Sequence, residues 1–389
     1  MEKNKAPRAA EGIEVLLTEY VLMEILSRLP VKSLLRFKSV CKEWYAFIQN
    51  PSFIFISLHH TRALPQHCIL LLGYSNTHPY NSSMYLFPNQ TSMERLDLSF
   101  AGPDITRFTH RGTCNGLMCF SEGSNIMICN PATREFRLLP RSPYHAWIAK
   151  YVGFAFDSMK NDYVVVKVAT LYEFGFADDD PDGEVFMDFE VTRISHKIEM
   201  YGMSRDSWEE IGVTVPSHDF NTCHDPSISL DGVFYWVGYD VSVKKPVLNV
   251  LNTVEGSLER RSLPVGIGSE LSISVSLLDN SVALVVPKYD DLVGETCFGV
   301  WLMDKHRGEK CWTKKYTIGP LLGNLRPFGF WLNNEVLMIG SDNGLIESYD
   351  HNLYTGRKRI QTVLQFVGTK VFSTSFSILR ELSVCNETS

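Results

Sequence analysis

The 389-residue sequence contains no run of 18 or more apolar residues, which excludes a membrane-spanning helix. Its nine cysteines include no Cys-x-x-Cys pair, so reduced and mostly buried thiols are expected. No apolar run of signal-peptide length precedes Leu17. These absences together predict an intracellular protein without disulfide bonds.

The sequence also lacks the common signatures of catalysis and cofactor binding. It contains no Gly-x-Ser-x-Gly, no phosphate-binding loop and no Gly-x-Gly-x-x-Gly. Its histidines do not follow metal-ligand spacing, and the densest group, His218 and His224 with Asp219, Cys223 and Asp225, is better explained as loop residues near a turn. We expect no cofactor, no metal site and no enzymatic activity.

Basic residues are fewer than acidic ones: the sequence has 37 Lys and Arg, 44 Asp and Glu, and a net charge of −7. Nucleic acid is therefore not expected as the main partner, because phosphate binding requires excess cations. Residues 1–60 carry a net charge of +2, and the rest of the chain carries −9. Much of the acidic excess lies in one segment, at Glu173, Asp178, Asp179, Asp180, Asp182, Glu184, Asp188 and Glu190.

Residues 13–50 have helical periodicity. Val21, Ile25 and Leu29 recur at i, i+4 and i+8, Thr18 precedes them as a potential N-cap, and Pro30 must end the helix. Two further helical patterns follow, and the second ends before Asn50. Three helices this short cannot hide so many large apolar side chains. A partner protein would cover them, or else the chain's own β domain would.

From residue 65 onward, short apolar runs alternate with turns, which is typical of an all-β domain. One hairpin unit recurs with anchor residues at 96, 136, 208, 258, 312 and 358, and Asn115-Gly116 and Asp231-Gly232 predict tight hairpins between these units. Two hairpins per roughly 50 residues make a four-stranded blade. We predict a β-propeller of about six or seven blades, with strand 68–74 helping to close it. The alternative is a pair of stacked antiparallel sheets.

The acidic segment contains Pro181 and Gly183, which predict a loop inserted between blades. One interpretation is a solvated loop without a partner. The other is a surface that attracts a basic protein, since charge of one sign accelerates encounter with the opposite sign. The candidate substrate-binding residues are Asp178, Asp179, Asp180, Asp182, Glu184, Tyr172, Phe174 and Phe176.

Residues 24–44, from Glu24-Ile25-Leu26 through Leu29-Pro30-Val31 to Cys41-Lys42-Glu43-Trp44, closely resemble the F-box of plant F-box proteins. The resemblance departs at Leu17-Thr18, where the family usually has Leu-Pro. It implies an adaptor-docking domain at residues 11–55 that binds a Skp1-like adaptor and, through it, cullin-1 and a RING protein. The residues implied in adaptor binding are Leu22, Ile25, Leu26, Leu29, Pro30, Val31, Leu34, Leu35 and Trp44.

Residues 112–117 and 130–134 resemble pieces of the F-box-associated, kelch-like domain that follows plant F-boxes. This resemblance implies that residues 65–380 form a β-propeller for substrate recognition. The kelch and WD repeat dipeptides, Gly-Gly and Trp-Asp, are absent. The number of blades therefore cannot be read from repeats.

The whole chain is most similar to S-locus F-box proteins. That resemblance implies recognition of basic S-RNases in pollen, where non-self S-RNases are ubiquitinated during gametophytic self-incompatibility, and a location in the pollen-tube cytosol with the nucleus as a second compartment. Two other functions remain open. The chain could be an F-box subunit with an unrelated target, or a propeller enzyme or binding module outside ubiquitination.

Overall fold

The structure is a computed structural model, and the residues that it describes fall into ranges separated by short gaps. These ranges are 20–50, 52–54, 56–57, 67–74, 82–89, 92–96, 108–145, 147–176, 189–213, 220–222, 228–240, 244–264, 273–290, 295–304, 312–322, 325–330, 336–340, 346–349, 357–360 and 370–375. Helices occupy the first ranges and strands occupy those from residue 67 onward. The prediction of a helical unit followed by an all-β domain is confirmed.

The described part of the first unit contains α1 at residues 20–26, α2 at Val31–Lys38 and α3 at Lys42–Gln49, followed by helical residues 52–54 and 56–57. Pro30 occupies the N-cap position of α2 with an extended backbone, as expected of a residue that ends one helix and opens the next. Cys41 caps α3, because its sulfur accepts a hydrogen bond from the Trp44 backbone N–H at 3.4 Å. Thr18, the predicted cap of the first helix, lies outside the described residues. No described helix is long and apolar enough to cross a membrane.

The described strands pair into six separate antiparallel sheets. Sheet A contains β1 (His67–Tyr74), β2 (Ser82–Asn89), β3 (Ser92–Leu96) and β25 (Lys370–Ser375). Sheet B contains β4 (Thr109–Cys114), β5 (Leu117–Glu122), β6 (Asn125–Asn130) and β7 (Glu135–Leu138). Sheet C contains β8 (Ile148–Asp157), β9 (Asp162–Phe176), β10 (Phe189–Gly202) and β11 (Ser207–Ile211).

Sheet D is the one with five strands: β12 (Phe220–Thr222), β13 (Ile228–Leu230), β14 (Val233–Asp240), β15 (Lys245–Asn252) and β16 (Ser257–Ser262). Sheet E contains β17 (Ser274–Leu278), β18 (Ser281–Asp290), β19 (Glu295–Met303) and β20 (Trp312–Leu322). Sheet F contains β21 (Leu325–Phe330), β22 (Val336–Gly340), β23 (Ile346–Tyr349) and β24 (Arg357–Ile360). Each of the six predicted anchors lies in a strand at the edge of its sheet, namely β3, β7, β11, β16, β20 and β24.

The tight hairpins lie where the sequence predicts them. Asn115 and Gly116 join β4 to β5 with φ of 50° and 79°, and Asp231 and Gly232 join β13 to β14 with φ of 51° and 76°. Two successive left-handed residues are the pattern of a type I′ turn, which matches the twist of the flanking strands. These turns fix which residues of β4–β5 and β13–β14 face each other.

The hydrophobic cores lie between neighbouring sheets. Separate clusters of buried side chains join sheets B and C, C and D, D and E, and E and F. Contacts between strands run from β4 to β8, then to β13, β17, β21 and β25, and β25 also contacts β4. The sheets therefore follow one another in a cyclic order, with the last strand pairing with β1 of sheet A.

Two tryptophans in edge strands each form a hydrogen bond with the chain at the end of the preceding sheet. The indole N–H of Trp208 in β11 donates to the Pro140 carbonyl at 2.8 Å, and that of Trp312 in β20 donates to the Ser262 carbonyl at 3.0 Å. Both carbonyls lie at or beside a Leu-Pro pair, 139–140 or 263–264. At these two joints, the predicted anchor and a carbonyl at or beside a Leu-Pro pair are thus the partners of one contact between sheets.

Substituting Gly153 in β8 tests the tight packing of sheet C against sheet D. A Cβ atom there would lie 2.7 Å from a ring carbon of Phe234 and 2.5 Å from the Tyr151 hydroxyl, and Tyr151 is already stacked on Trp236 with ring centroids 4.0 Å apart. We expect Gly153→Ala to lower the free energy of unfolding by about 1–3 kcal/mol in urea titrations. Gly212→Ala is the matched control, since its Cβ would meet no atom within 4 Å. Equal stability of the two variants would contradict the packing.

Candidate functional site

The helical unit has a small core of its own. Leu26, Leu34, Ile48 and Phe53 are almost completely buried, and the described side chains packed around them lie between residues 23 and 54. The rings of Phe37 and Trp44 meet edge to face at 5.1 Å, and the Ser57 hydroxyl donates to the Ser27 carbonyl at 3.2 Å. These contacts hold α1, α2 and the helical turns 52–57 in a fixed arrangement.

The residues predicted for adaptor binding separate into three classes of exposure. Leu26 and Leu34 are 4% and 0% exposed, so they shape the unit from inside and present no surface. Ile25 is 56% exposed, and Pro30 is exposed as well. The others are partly buried around the core: Leu22, Leu29, Val31, Leu35 and Trp44.

Several exposed apolar side chains of this unit were missing from the predicted set. Tyr20, Val21, Val40 and Tyr45 are 69%, 52%, 64% and 45% exposed. Val21 lies one helical turn before Ile25, so the i, i+4 spacing could have identified it. Nothing comparable marks Val40 or Tyr45, because their exposure depends on how α2 and α3 pack. Together with Ile25, these four residues form what we call the exposed apolar set.

Basic residues accompany the exposed apolar set. Helix α2 contains Lys32, Arg36 and Lys38 and no acidic residue, and Lys42 opens α3. The Lys38 ammonium lies 5.6 Å from the centre of the Tyr45 ring. The single acidic residue of α1 in the described range, Glu24, is paired with Arg28. An apolar surface with a basic margin favours a partner whose own margin is acidic.

Strands β9 and β10 form a ribbon that extends beyond the rest of sheet C. β8 pairs with β9 only from Asp162 to Thr170, whereas β9 and β10 remain paired to Phe176 and Phe189. The six residues 171–176 thus continue for about 20 Å past the last pairing with β8. We call residues 171–176 and 189–195 the β9–β10 ribbon.

The prediction that the acidic segment is inserted between blades is wrong. The segment joins β9 to β10, which are neighbours in one sheet, so it belongs within sheet C. Pro181 and Gly183 lie outside the described residues, and a proline and glycine signal does not distinguish a turn within a sheet from a link between sheets. Tyr172 lies in β9 opposite Ile194 and is partly buried, and Phe174 and Phe176 lie further along the same strand. Asp178, Asp179, Asp180, Asp182 and Glu184 lie outside the described residues.

A buried ion pair lies beneath the base of the ribbon. Lys167 in β9 and Glu199 in β10 face each other in register, and their side chains are 0% and 1% exposed with Nζ and Oε2 3.2 Å apart. The Ser142 hydroxyl donates to Glu199 at 2.5 Å and accepts from Lys167 at 2.7 Å. Burial lowers the pKa of Lys167, and the Glu199 carboxylate opposes that shift. A lysine inside the valine-rich run 164–168 was the sequence signal that could have indicated this pair.

Residues 139–147 connect sheet B to sheet C, and we call them the B–C link. Side chains of several strands contact this link. Lys167 also donates to the Tyr144 carbonyl at 2.9 Å, and the Tyr144 hydroxyl donates to Glu210 in β11 at 2.6 Å. Glu210 also pairs with Lys197 at 2.5 Å, and these two hydrogen bonds lower its pKa. The ring of Tyr144 lies 4.8 Å from that of Trp147. The link is therefore fixed by side chains of β9, β10 and β11.

The described residues show little that could act chemically on a substrate. They contain no group of three His, Cys, Asp or Glu placed to hold a metal ion. Burial raises the pKa of Cys119 to about 12, so this thiol remains protonated and is a poor nucleophile. The features that could act on other molecules are the exposed apolar set, the ribbon and the B–C link.

Removing one member of the ion pair should cost more than removing both charges. We expect Lys167→Met to lower the free energy of unfolding by about 3–5 kcal/mol, because it leaves the Glu199 carboxylate buried without a cation. Adding Glu199→Gln should restore most of that loss, since the amide is neutral and still bonds Ser142. Urea unfolding of both variants measures this. A double variant no more stable than the single one would contradict the pairing.

Comparison with known proteins agrees with this division of the chain. Residues 16–56 match the F-box domain, and residues 80–379 match the F-box associated beta propeller domain. An F-box protein of Arabidopsis thaliana is 36% identical over 178 residues, covering 43% of this chain and 46% of the relative. An F-box/kelch-repeat protein of the same plant is 28% identical over 230 residues, covering 55% and 52%.

A third Arabidopsis thaliana relative, an F-box/LRR-repeat/kelch-repeat protein, is 24% identical over 305 residues and covers 76% of this chain and 74% of its own length. The match to the first two relatives spans only about half of their length. The propeller-domain match by itself covers more than half of the present chain. The chain therefore belongs to the plant F-box proteins that carry an F-box-associated β-propeller domain.

Proposed function

We propose that this protein is the substrate-recognition subunit of a Skp1–cullin–F-box ubiquitin ligase. Its helical unit would dock on a Skp1-like adaptor and thereby join cullin-1 and a RING protein, while its β domain captures the protein to be ubiquitinated. The observation that carries this proposal is a helical unit that matches the F-box and has its own core yet leaves five large apolar side chains exposed. Such exposure is expected of a docking surface.

In this function the chain performs no bond-breaking step. It holds a substrate close to a ubiquitin-conjugating enzyme and raises the effective concentration of substrate lysines. For this task the rigidity of each domain matters more than any reactive side chain. The alternative of an enzymatic propeller draws no support from a metal group among the described residues.

Ile25→Asp tests the adaptor surface without disturbing the core. Ile25 is 56% exposed, so the charge costs little folding free energy but opposes burial against an apolar partner. We expect at least a tenfold loss of affinity for a purified Skp1-like adaptor in calorimetry, and a similar loss for Val21→Asp. Val254→Asp in the β15–β16 turn is the control, since Val254 is 59% exposed and lies far along the chain. If both helical variants bind the adaptor as tightly as the wild type, the proposal is wrong.

Leu26→Asp is not a suitable test of the same surface. Leu26 is buried in the small core, so an aspartate there would unfold the unit whether or not an adaptor binds it.

We further infer that the six sheets are the blades of a closed propeller. The cyclic order of contacts and the pairing of β25 with β1 support closure, and the six anchors support six blades. Closure would cover the faces of sheets A and F that would otherwise remain in water at the joint between them. Six separate sheets also argue against the alternative of two stacked sheets.

For the target we propose a basic protein, and specifically the S-RNases suggested by the resemblance to S-locus F-box proteins. The segment 173–190 contains eight Asp or Glu and no Lys or Arg, and residues beyond 60 carry a net charge of −9. A basic target would approach such a domain faster and would be preferred over acidic competitors. The proposed place of action is the pollen-tube cytosol. An unrelated target in another signalling pathway is the main competing proposal.

Neutralising Asp178, Asp179, Asp180 and Asp182 to Asn tests the target. We expect the affinity for recombinant S-RNases to fall at least tenfold at low salt, and the affinity of the wild type to fall as salt rises to physiological strength. Surface plasmon resonance across a panel of S-RNases measures both effects. Binding that ignores salt and the four substitutions would refute the electrostatic proposal, and binding to none of the panel would favour an unrelated target.

A further inference from the structure

Ser39 lies at the surface where α2 ends, in the most basic part of the helical unit. Between Glu24 and Glu43 the chain contains no acidic residue and five basic ones, which are Arg28, Lys32, Arg36, Lys38 and Lys42. Ser39 is exposed, and Val40 beside it is 64% exposed. The Ser39 hydroxyl is therefore accessible to another protein.

The residues before Ser39 form a pattern that protein kinases can recognise. Arg36 precedes Ser39 by three residues and Lys38 precedes it by one. A kinase can bind such an arginine with its own carboxylates, because the guanidinium fork forms two parallel hydrogen bonds with a carboxylate. Charge patterns of this kind determine which substrates a kinase prefers. Ser33 lies in the same helix but has Pro30 at the corresponding position, so it lacks the pattern.

The local structure makes this segment available to a kinase. Ser39 is the C-cap of α2, and its backbone N–H and its hydroxyl donate to the Arg36 carbonyl at 3.2 Å and 2.7 Å. Both hydrogen bonds belong to the last turn of the helix. Helix ends open at a lower free energy than helix centres, so residues 36–39 can leave the helix while its first turn remains.

A phosphate on Ser39 would change the charge of the adaptor surface. Residues 20–50 contain five basic and two acidic residues and carry a net charge of +3. A phosphoserine carries a charge of about −1.5 to −2 at pH 7, so it would cancel much of the basic margin. It would also place that charge beside Val40, a member of the exposed apolar set. Burying a charge against an apolar partner is costly.

The position of Ser39 at the helix end adds to this effect. The phosphorylated side chain would lose the hydrogen that Ser39 donates to the Arg36 carbonyl, and an anion at the C-terminal end of a helix is unfavourable. The Lys38 ammonium, 5.6 Å from the centre of the Tyr45 ring, would find a stronger partner in the phosphate oxygens. The phosphate would therefore disturb the surroundings of both Val40 and Tyr45.

We propose that Ser39 is a phosphorylation site for an arginine-directed protein kinase, and that its phosphate blocks docking of the adaptor on the helical unit. The Ser39 oxygen attacks the γ-phosphorus of ATP, the bond from that phosphorus to the β,γ-bridging oxygen breaks, ADP leaves, and the serine proton passes to a base of the kinase. The proposal rests on the proposed function and deepens it by assigning a regulation to the same surface.

The first measurement asks whether a kinase modifies Ser39. Full-length protein is incubated with ATP and the catalytic subunit of a cyclic-AMP-dependent protein kinase, and peptide mass spectrometry follows phosphate at each serine. We expect phosphate on Ser39 and none on Ser33, and we expect Arg36→Ala to slow the reaction at least about tenfold. Lys32→Ala is the matched control and should react at the wild-type rate. An unmodified Ser39, equal rates at Ser39 and Ser33, or a rate that ignores Arg36→Ala would overturn the site.

The second measurement asks whether the phosphate blocks the adaptor. We expect calorimetry with a purified Skp1-like adaptor to show at least about tenfold weaker binding by the phosphorylated protein at low salt, with recovery after phosphatase treatment. Ser39→Gln removes the same hydroxyl without adding charge and should bind within about twofold of the wild type, whereas Ser39→Glu should bind more weakly than Ser39→Gln. Equal binding by the phosphorylated and unmodified proteins would overturn the blocking role. A Ser39→Gln variant as weak as the phosphorylated protein would also overturn it, because the loss would then come from the hydroxyl and not from charge.

The outcomes distinguish this proposal from the proposed function. If the adaptor binds the unmodified protein and the phosphate has no effect, the proposed function stands and the regulation is wrong. If Ser39 is modified through Arg36 but the adaptor does not bind the unmodified protein, the site stands, and the proposed function fails together with the blocking role. Adaptor added before the kinase should slow modification of Ser39, and an unchanged rate would contradict a shared surface.

Discussion

Sheets that are apolar on both faces impose the main constraint on this molecule. In β5, β6 and β14, five consecutive residues are buried. Successive side chains of a strand point to opposite faces, so such a run means that both faces are covered. A sheet of this kind is not stable with one neighbour, because its second face would remain in water. Each such sheet therefore requires a neighbouring sheet on both of its faces.

That constraint determines where other molecules can bind. The sheet faces pack against each other, so the turns and links at the ends of the strands and the outer edges are left for recognition. At one end of the strands the turns are short, as at 115–116 and 231–232. The other end carries the longer B–C link and the extended β9–β10 ribbon. The helical unit has a separate hydrophobic core of four buried residues. The packing of that core determines which of the unit's side chains remain at the surface.

Local patterns in the sequence were enough to predict the helices, the hairpins and the six anchors. Pro30 ends a helix whatever the tertiary structure, and Asn115-Gly116 specifies a turn by itself. The anchors at 208 and 312 could be found because each is an aromatic residue that follows an apolar run and a polar turn. Their hydrogen bonds to the preceding segments are what the structure adds. Local patterns do not determine the exposure of a side chain, because exposure depends on distant residues. Leu26 and Ile25 are neighbours of similar hydrophobicity, and only the packing of α2, α3 and Phe53 makes one 4% and the other 56% exposed.

The buried network in sheet C shows the same limit and also suggests why the network is there. Ser142, Lys167 and Glu199 are separated by 25 and 32 residues, so no local pattern joins them. A buried ion pair contributes little to stability compared with apolar residues of the same volume, since desolvation cancels most of the attraction. An apolar pair at 167 and 199 would fill the same space between strands, but it would not bond the Ser142 hydroxyl or the Tyr144 carbonyl. The two charged side chains are therefore best explained by the hydrogen bonds with which they fix the conformation of the B–C link. Apolar side chains at 167 and 199 could pack against the link but could not form those bonds.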